Sequence, residues 1–215
     1  MTDKVPEDPS SPPESEEEVN RRHRIKMSRK KAARDKLMTG KTTERGLVIV
    51  HTGTGKGKSS SAFGMVLRCI GHGMKSSVIQ FIKGDWDTAE RRVLSEFGDL
   101  VIFKTMGEGF TWETQDRVRD IAAAGRAWNE ALRHLNDPEI RMVVLDELNI
   151  ALRYGYITLD QVLEALDARP TDQHVVITGR HAPAELIARA DLVSEMTLIK
   201  HPFRDGVKAQ PGVEF

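Results

Sequence analysis

Residues 46–64 read GLVIVHTGTGKGKSSSAFG. An apolar run, a glycine-rich turn and a helix-forming stretch follow one another, and that order decides the fold class. The usual phosphate-binding loop has a glycine, four free positions and then Gly-Lys-Ser/Thr. Gly57-Lys58-Ser59 supplies the end, but Thr52 stands where the first glycine belongs. The glycine comes one residue late, at Gly53, and a second lysine, Lys56, lies inside the loop. A turn of this kind aims backbone N–H groups inwards at a helix N-terminus, a concavity that binds phosphate. The candidate nucleotide-binding residues are therefore Gly53, Thr54, Gly55, Lys56, Gly57, Lys58, Ser59 and Ser60. Lys58 adds a point charge for the phosphates, and Ser59 a hydroxyl ligand for Mg2+. A flexible, solvent-exposed loop is the plain alternative; the buried strand before it and the helix after it favour phosphate.

The alternation continues outward. SSVIQFIK, DLVIFK, RMVVLDEL, QHVVITG and LVSEMTLI are apolar runs of strand length. Between them, helical patterns cover residues 59–70, 89–97 and 114–135, and the stretches TLDQVLEALDAR, which begins at a threonine cap and stops before Pro170, and PAELIARA. Continuous apolar strands separated by helices predict an α/β domain of the P-loop (RecA-like) type, a mostly parallel sheet with helices on both faces.

The totals agree with one such domain and a tail: 215 residues, with 32 Lys and Arg balancing 32 Asp and Glu. That balance removes any whole-chain bias towards nucleic acid or membrane, but it is uneven along the chain. Residues 1–18 hold seven acids against Lys4, and residues 21–45 hold eleven Lys and Arg against Asp35 and Glu44. Three segments are expected: an acidic, Pro/Ser-rich, disordered tail over 1–20; a basic helix and linker over 21–45; and the P-loop domain over 46–215. The single cysteine, Cys69, excludes an internal disulfide and is expected to be an inert buried thiol. No apolar run reaches the roughly 20 residues needed to cross a bilayer, and the N-terminus does not read as a secretory signal. A cytoplasmic location is the expectation.

A second part of the site is expected where RMVVLDEL ends in Asp146 and Glu147. Carboxylates at a strand's C-terminal end suit a metal site. Adjacent residues of a strand face opposite sides, so one would hold Mg2+ while the other serves elsewhere, and the pair is left undivided. Arg180 and His181 follow the fifth strand, where ligand groups gather in open α/β sheets; Arg180 is a candidate phosphate contact. His51 is expected to pack or cap. Phe110 and Trp112 lie in the glycine-punctuated stretch MGEGFTWET, 106–114, and either pack beneath that loop or meet a flat, apolar second substrate. No residue is identifiable as the group that positions water or a hydroxyl at a γ-phosphate in ordinary hydrolases and kinases.

Taken in order, GTGKGKSSSAFG, QFIKG, GFTWET, VVLDEL, LDARP, VVITGRH and GVKAQPGVEF resemble the ATP:corrinoid adenosyltransferases of cobalamin biosynthesis. The family often has Asn where Thr54 stands and Thr where Ser59 stands; Ser59 keeps the hydroxyl. The resemblance implies that ATP binds with its phosphates reversed in the altered loop, so that the reacting atom is the ribose 5′ carbon. Co(I) of cob(I)alamin or cob(I)yrinic acid a,c-diamide attacks it, and tripolyphosphate leaves. It further implies catalytic roles for Lys58, Phe110 and Trp112, the aromatic pair displacing the lower axial ligand of Co(II) so that a flavin-dependent reductant can deliver the electron. Mg2+, ATP, the corrinoid and a homodimer complete the implied set. For residues 21–45 a lid over the active site, a solvated tail and a nucleic-acid arm stay open. A small-molecule kinase or ATPase, or a nucleic-acid-binding NTPase, are the alternative functions.

Overall fold

A computed structural model describes residues 15–82, 88–107 and 116–213. The chain divides into two compact units, 1–44 and 45–215. The first contains α1 (Glu16–Thr39), whose side chains are all exposed. The helix was expected to begin at residue 21; it begins five residues earlier. Ser15 caps it by accepting from Glu18 N, and Glu16, Glu17 and Glu18 place negative charge at the positive end of the helix dipole.

The second unit carries β1 (Val48–Thr52), α2 (Lys58–Gly71), β2 (Ser76–Gln80), α3 (Ala89–Ser95), β3 (Val101–Thr105) and α4 (Arg117–Leu135). After them come β4 (Met142–Asp146), α5 (Leu148–Arg153), α6 (Leu159–Ala168), β5 (His174–Thr178), α7 (Ala184–Arg189) and β6 (Leu192–Glu195). The strands form one sheet in the order β3-β2-β4-β5-β1-β6, every neighbouring pair parallel. The expected α/β architecture is present, and the sheet is wholly rather than mostly parallel.

Alternation along the strands builds two cores. Val48 and Val50 of β1 join Ile79, Val143, Leu145, Val175 and Ile177 in a core covered by α4 to α7. Ile49 joins Val78, Val144 and Val176 in a second, covered by Ala62, Phe63 and Val66 of α2 and Leu94 of α3. Cys69 lies in that second core, buried as expected. Helix α6 starts at its predicted threonine: Thr158 and Gln161 form a capping box. Helix α4 starts at Arg117 rather than 114, because the Asp116 carboxylate accepts from Val118 N and Arg119 N.

Two boundaries differ near the site. The strand ends at Asp146; Glu147 turns with φ 62, and Leu148 begins α5 as part of the first core. The expectation that both carboxylates alternate on one strand is therefore corrected. Strand β6 ends at Glu195 instead of running on through MTLI, because Met196 turns its backbone to the loop after β1.

Candidate active site

The loop between β1 and α2 is held from three sides. Met196 N donates to Thr52 O at 2.9 Å, and Gly55 N donates to Met196 O at 2.6 Å. That approach leaves no room for side chains: a Cβ on Gly53 would stand 2.4 Å from Met196 O, and one on Gly55 2.8 Å from it. Gly53 also takes φ 92 and Gly57 φ 104, which favour glycine. His51 is buried, its Nδ1–H donating to Lys58 O at 3.3 Å, so the expected packing role holds. Thr52 Oγ1 accepts from Ala182 N at 3.1 Å and ties the loop to the chain after β5.

Lys58 is buried, and its Nζ donates to Gly53 O at 2.9 Å and Gly55 O at 2.6 Å. Burial pushes its pKa below the ordinary lysine value. Glu147 opposes that shift most strongly, Arg180 and Lys56 add to it, and Asp146 opposes it. The loop lysine, both carboxylates and Arg180 thus share one electrostatic neighbourhood. Thr54, Lys56, Gly57, Ser60 and Arg180 are exposed, Ser59 is half-buried in the first turn of α2, and Gly55 is buried. The Glu147 carboxylate lies beside Gly179: a Cβ there would meet Glu147 Oε2 at 3.3 Å. Phe110 and Trp112 lie outside the described residues.

The two carboxylates have different surroundings. Asp146 is fully buried; Gln80 Nε2 donates to its Oδ2 at 2.8 Å and Thr178 Oγ1 to its Oδ1 at 2.7 Å. Glu147 is half-buried and belongs to the turn. A serine hydroxyl and a half-buried carboxylate are hard oxygen donors and fit Mg2+, which keeps most of its waters and takes few protein ligands. Among the described residues no group of three His, Cys, Asp or Glu could hold a metal ion by itself.

Gln80 and Thr178 did not stand out in the sequence. Their only signal was position: each is the polar last residue of an apolar strand, SSVIQ and HVVIT. Met196 gave none, since it acts through its backbone.

The ATP:corrinoid adenosyltransferase BtuR/CobO/CobP family matches residues 44–215. A corrinoid adenosyltransferase of Pseudomonas aeruginosa is 57% identical over 198 residues, 92% of this chain and 98% of that protein. One from a Sinorhizobium species is 56% identical over 201 residues, 93% of this chain and 94% of its own length. The corrinoid adenosyltransferase CobA of Salmonella typhimurium is 49% identical over 172 residues, 80% of this chain and 87% of its own. With a parallel α/β sheet, a glycine-lysine loop after its first strand and matches of this extent, the chain belongs to the ATP:corrinoid adenosyltransferase family.

Proposed function

We propose that the chain transfers the 5′-deoxyadenosyl group of ATP to the Co(I) of a corrinoid, cob(I)yrinic acid a,c-diamide or cob(I)alamin, and releases tripolyphosphate. The observation that carries this is family membership across residues 44–215, a span that takes in the loop, Asp146, Glu147 and Arg180. The Co(I) electron pair forms the cobalt–carbon bond at C5′ as the C5′–O bond breaks, and the tripolyphosphate oxygen leaves with the bonding electrons. Negative charge develops on that oxygen, and the loop N–H groups and the Lys58 ammonium would stabilise it. Arg180, exposed beside Gly179, serves a further phosphate, as does Lys56. Ser59 and Glu147 would hold Mg2+, which when bound screens the charge of the leaving group. Cobalt is itself the nucleophile, so no side chain needs to act as a base. Phe110 and Trp112 are assigned to the corrinoid face, where removing an axial ligand makes Co(II) easier to reduce.

A homodimer, a cytoplasmic location and a flavin-dependent electron donor belong to the same proposal. No helix among the described residues is long and apolar enough to cross a membrane. The decisive experiment is anaerobic incubation with ATP, Mg2+ and chemically reduced cob(I)alamin, followed by absorbance and phosphate-product analysis. A light-sensitive cobalt–carbon product with stoichiometric tripolyphosphate is expected. ADP or orthophosphate without a cobalt–carbon product would replace the proposal with an ordinary P-loop phosphotransferase.

A further inference from the structure

The last residues of four neighbouring strands form one hydrogen-bonded row. The register pairs Thr105 with Gln80 and Gln80 with Asp146, and Thr178 follows Ile177, the partner of Leu145. Along the row Thr105 Oγ1 donates to Gln80 Oε1 at 3.2 Å, and Gln80 Nε2 to Asp146 Oδ2 at 2.8 Å. From the other side Glu147 N donates to Thr178 Oγ1 at 2.9 Å, and Thr178 Oγ1 to Asp146 Oδ1 at 2.7 Å. Every donor in the row is directed towards Asp146. The Gln80 amide has one orientation compatible with both neighbours, oxygen to the hydroxyl and nitrogen to the carboxylate. The single proton of Thr178 goes to Asp146, which leaves its oxygen to accept from Glu147 N.

Glu147 is where this row meets the nucleotide side of the sheet. Its backbone lies at φ 62, a conformation that non-glycine residues keep only where their surroundings hold it. The bond from Glu147 N to Thr178 is such a hold, and Thr178 is held by Asp146, which is held by Gln80. We propose that Gln80 and Thr178 are positioning residues: they keep Asp146 as an internal structural carboxylate and, through it, fix the turn that presents the Glu147 carboxylate to the Mg2+–nucleotide. The inference rests on the proposed nucleotide site but not on the transfer of its adenosyl group.

The test therefore uses nucleotide binding, with no corrinoid present. The full chain is titrated with Mg2+ in the presence of a fluorescent ATP analogue, and wild type is compared with Thr178→Val, Thr178→Ser and Gln80→Met. Thr178→Val removes both bonds of the hydroxyl at nearly constant volume and should raise the Mg2+ concentration for half-maximal binding about tenfold. Thr178→Ser restores the hydroxyl and should stay within about twofold of wild type. Gln80→Met, one step further from Glu147, should shift the midpoint in the same direction by less, and it carries the test if Thr178→Val does not fold. Binding of the analogue without Mg2+ should be the same in all variants, because the loop is untouched. An unchanged Mg2+ midpoint in both apolar variants, or an equal loss of Mg2+-free binding, would overturn the proposal. So would nucleotide binding by wild type that ignores Mg2+. A wild type that makes no cobalt–carbon product yet shows the expected Mg2+ shifts would sink the adenosyltransferase proposal and leave this one standing.

Discussion

Three glycines of the phosphate loop allow backbone strain and steric contact to be separated. Gly57 has φ 104 and open space around a would-be Cβ, so Gly57→Ala introduces strain alone. At Gly55 the added Cβ would meet Met196 O at 2.8 Å with no positive φ, so Gly55→Ala introduces contact alone. Gly53 carries both, φ 92 and a Cβ 2.4 Å from the same oxygen. A non-glycine residue at such φ costs about 1–3 kcal/mol, and an overpacked contact about 1–3 kcal/mol. The obstacle at Gly53 is backbone, itself hydrogen-bonded to Thr52 O and Gly55 N, so it yields little. Alanine returns ~0.4–1 kcal/mol by restricting the unfolded chain. Gly57→Ala should therefore cost about 1 kcal/mol, Gly55→Ala about 1–2 kcal/mol, and Gly53→Ala about 3 kcal/mol. At about 2–4 °C per kcal/mol for a domain of this size, Gly53→Ala lowers Tm by roughly 6–12 °C. Urea unfolding at constant m-value gives the three numbers directly. A Gly57→Ala variant as unstable as Gly53→Ala would refute the reasoning, because contact with Met196 would then contribute nothing.

Three further outcomes follow from the charges. Lys58→Met keeps the stem and removes the ammonium; with charged hydrogen bonds at ~1.5–3 kcal/mol, affinity for a fluorescent ATP analogue should fall about 10- to 100-fold, and unchanged affinity would remove Lys58 from the site. His51, His134 and His174 all have pKa values lowered chiefly by burial. The unfolded chain then binds more protons than the folded one below the ordinary value of about 6.5, so stability is lost as pH falls below it. Urea midpoints should drop between pH 7.5 and 5.5, and a flat profile would show that these imidazoles are not held neutral. Asp191 is held down at about 2, first by its hydrogen bonds from Arg45 and then by Val48 N, against the opposing effect of burial. Its contribution is present above pH 3.8 and lost on the way down to about 2, so Asp191→Asn should flatten the acid limb of the stability curve there. An acid limb identical to wild type would count against the Arg45 pair.

Much of this molecule was legible in local sequence. Strand-length apolar runs, a glycine-lysine turn, the Thr158 cap and a buried Cys69 are features of a few consecutive residues, and periodicity reads those well. Lys58 was a candidate from its Gly-Lys-Ser turn, and Glu147 and Arg180 from their places at strand ends; all three share one electrostatic neighbourhood. The register was not legible. In a parallel sheet whose central strands are buried on both faces, a slip of one residue exposes nothing apolar, so the pattern does not choose between registers. Only the packed sheet brings Gln80 to Asp146, 66 residues away, and Thr178 to the same carboxylate from 32 residues on the other side. The same holds for the end of β4 and the seat of the loop. Asp146-Glu147 reads as two strand residues until Thr178 captures Glu147 N and buried Leu148 starts a helix. Gly53 and Gly55 read only as phosphate-loop glycines until the Met196 carbonyl is placed against them. Local chemistry determined which elements and reactive groups the chain has; contacts between residues far apart in sequence decided which groups meet.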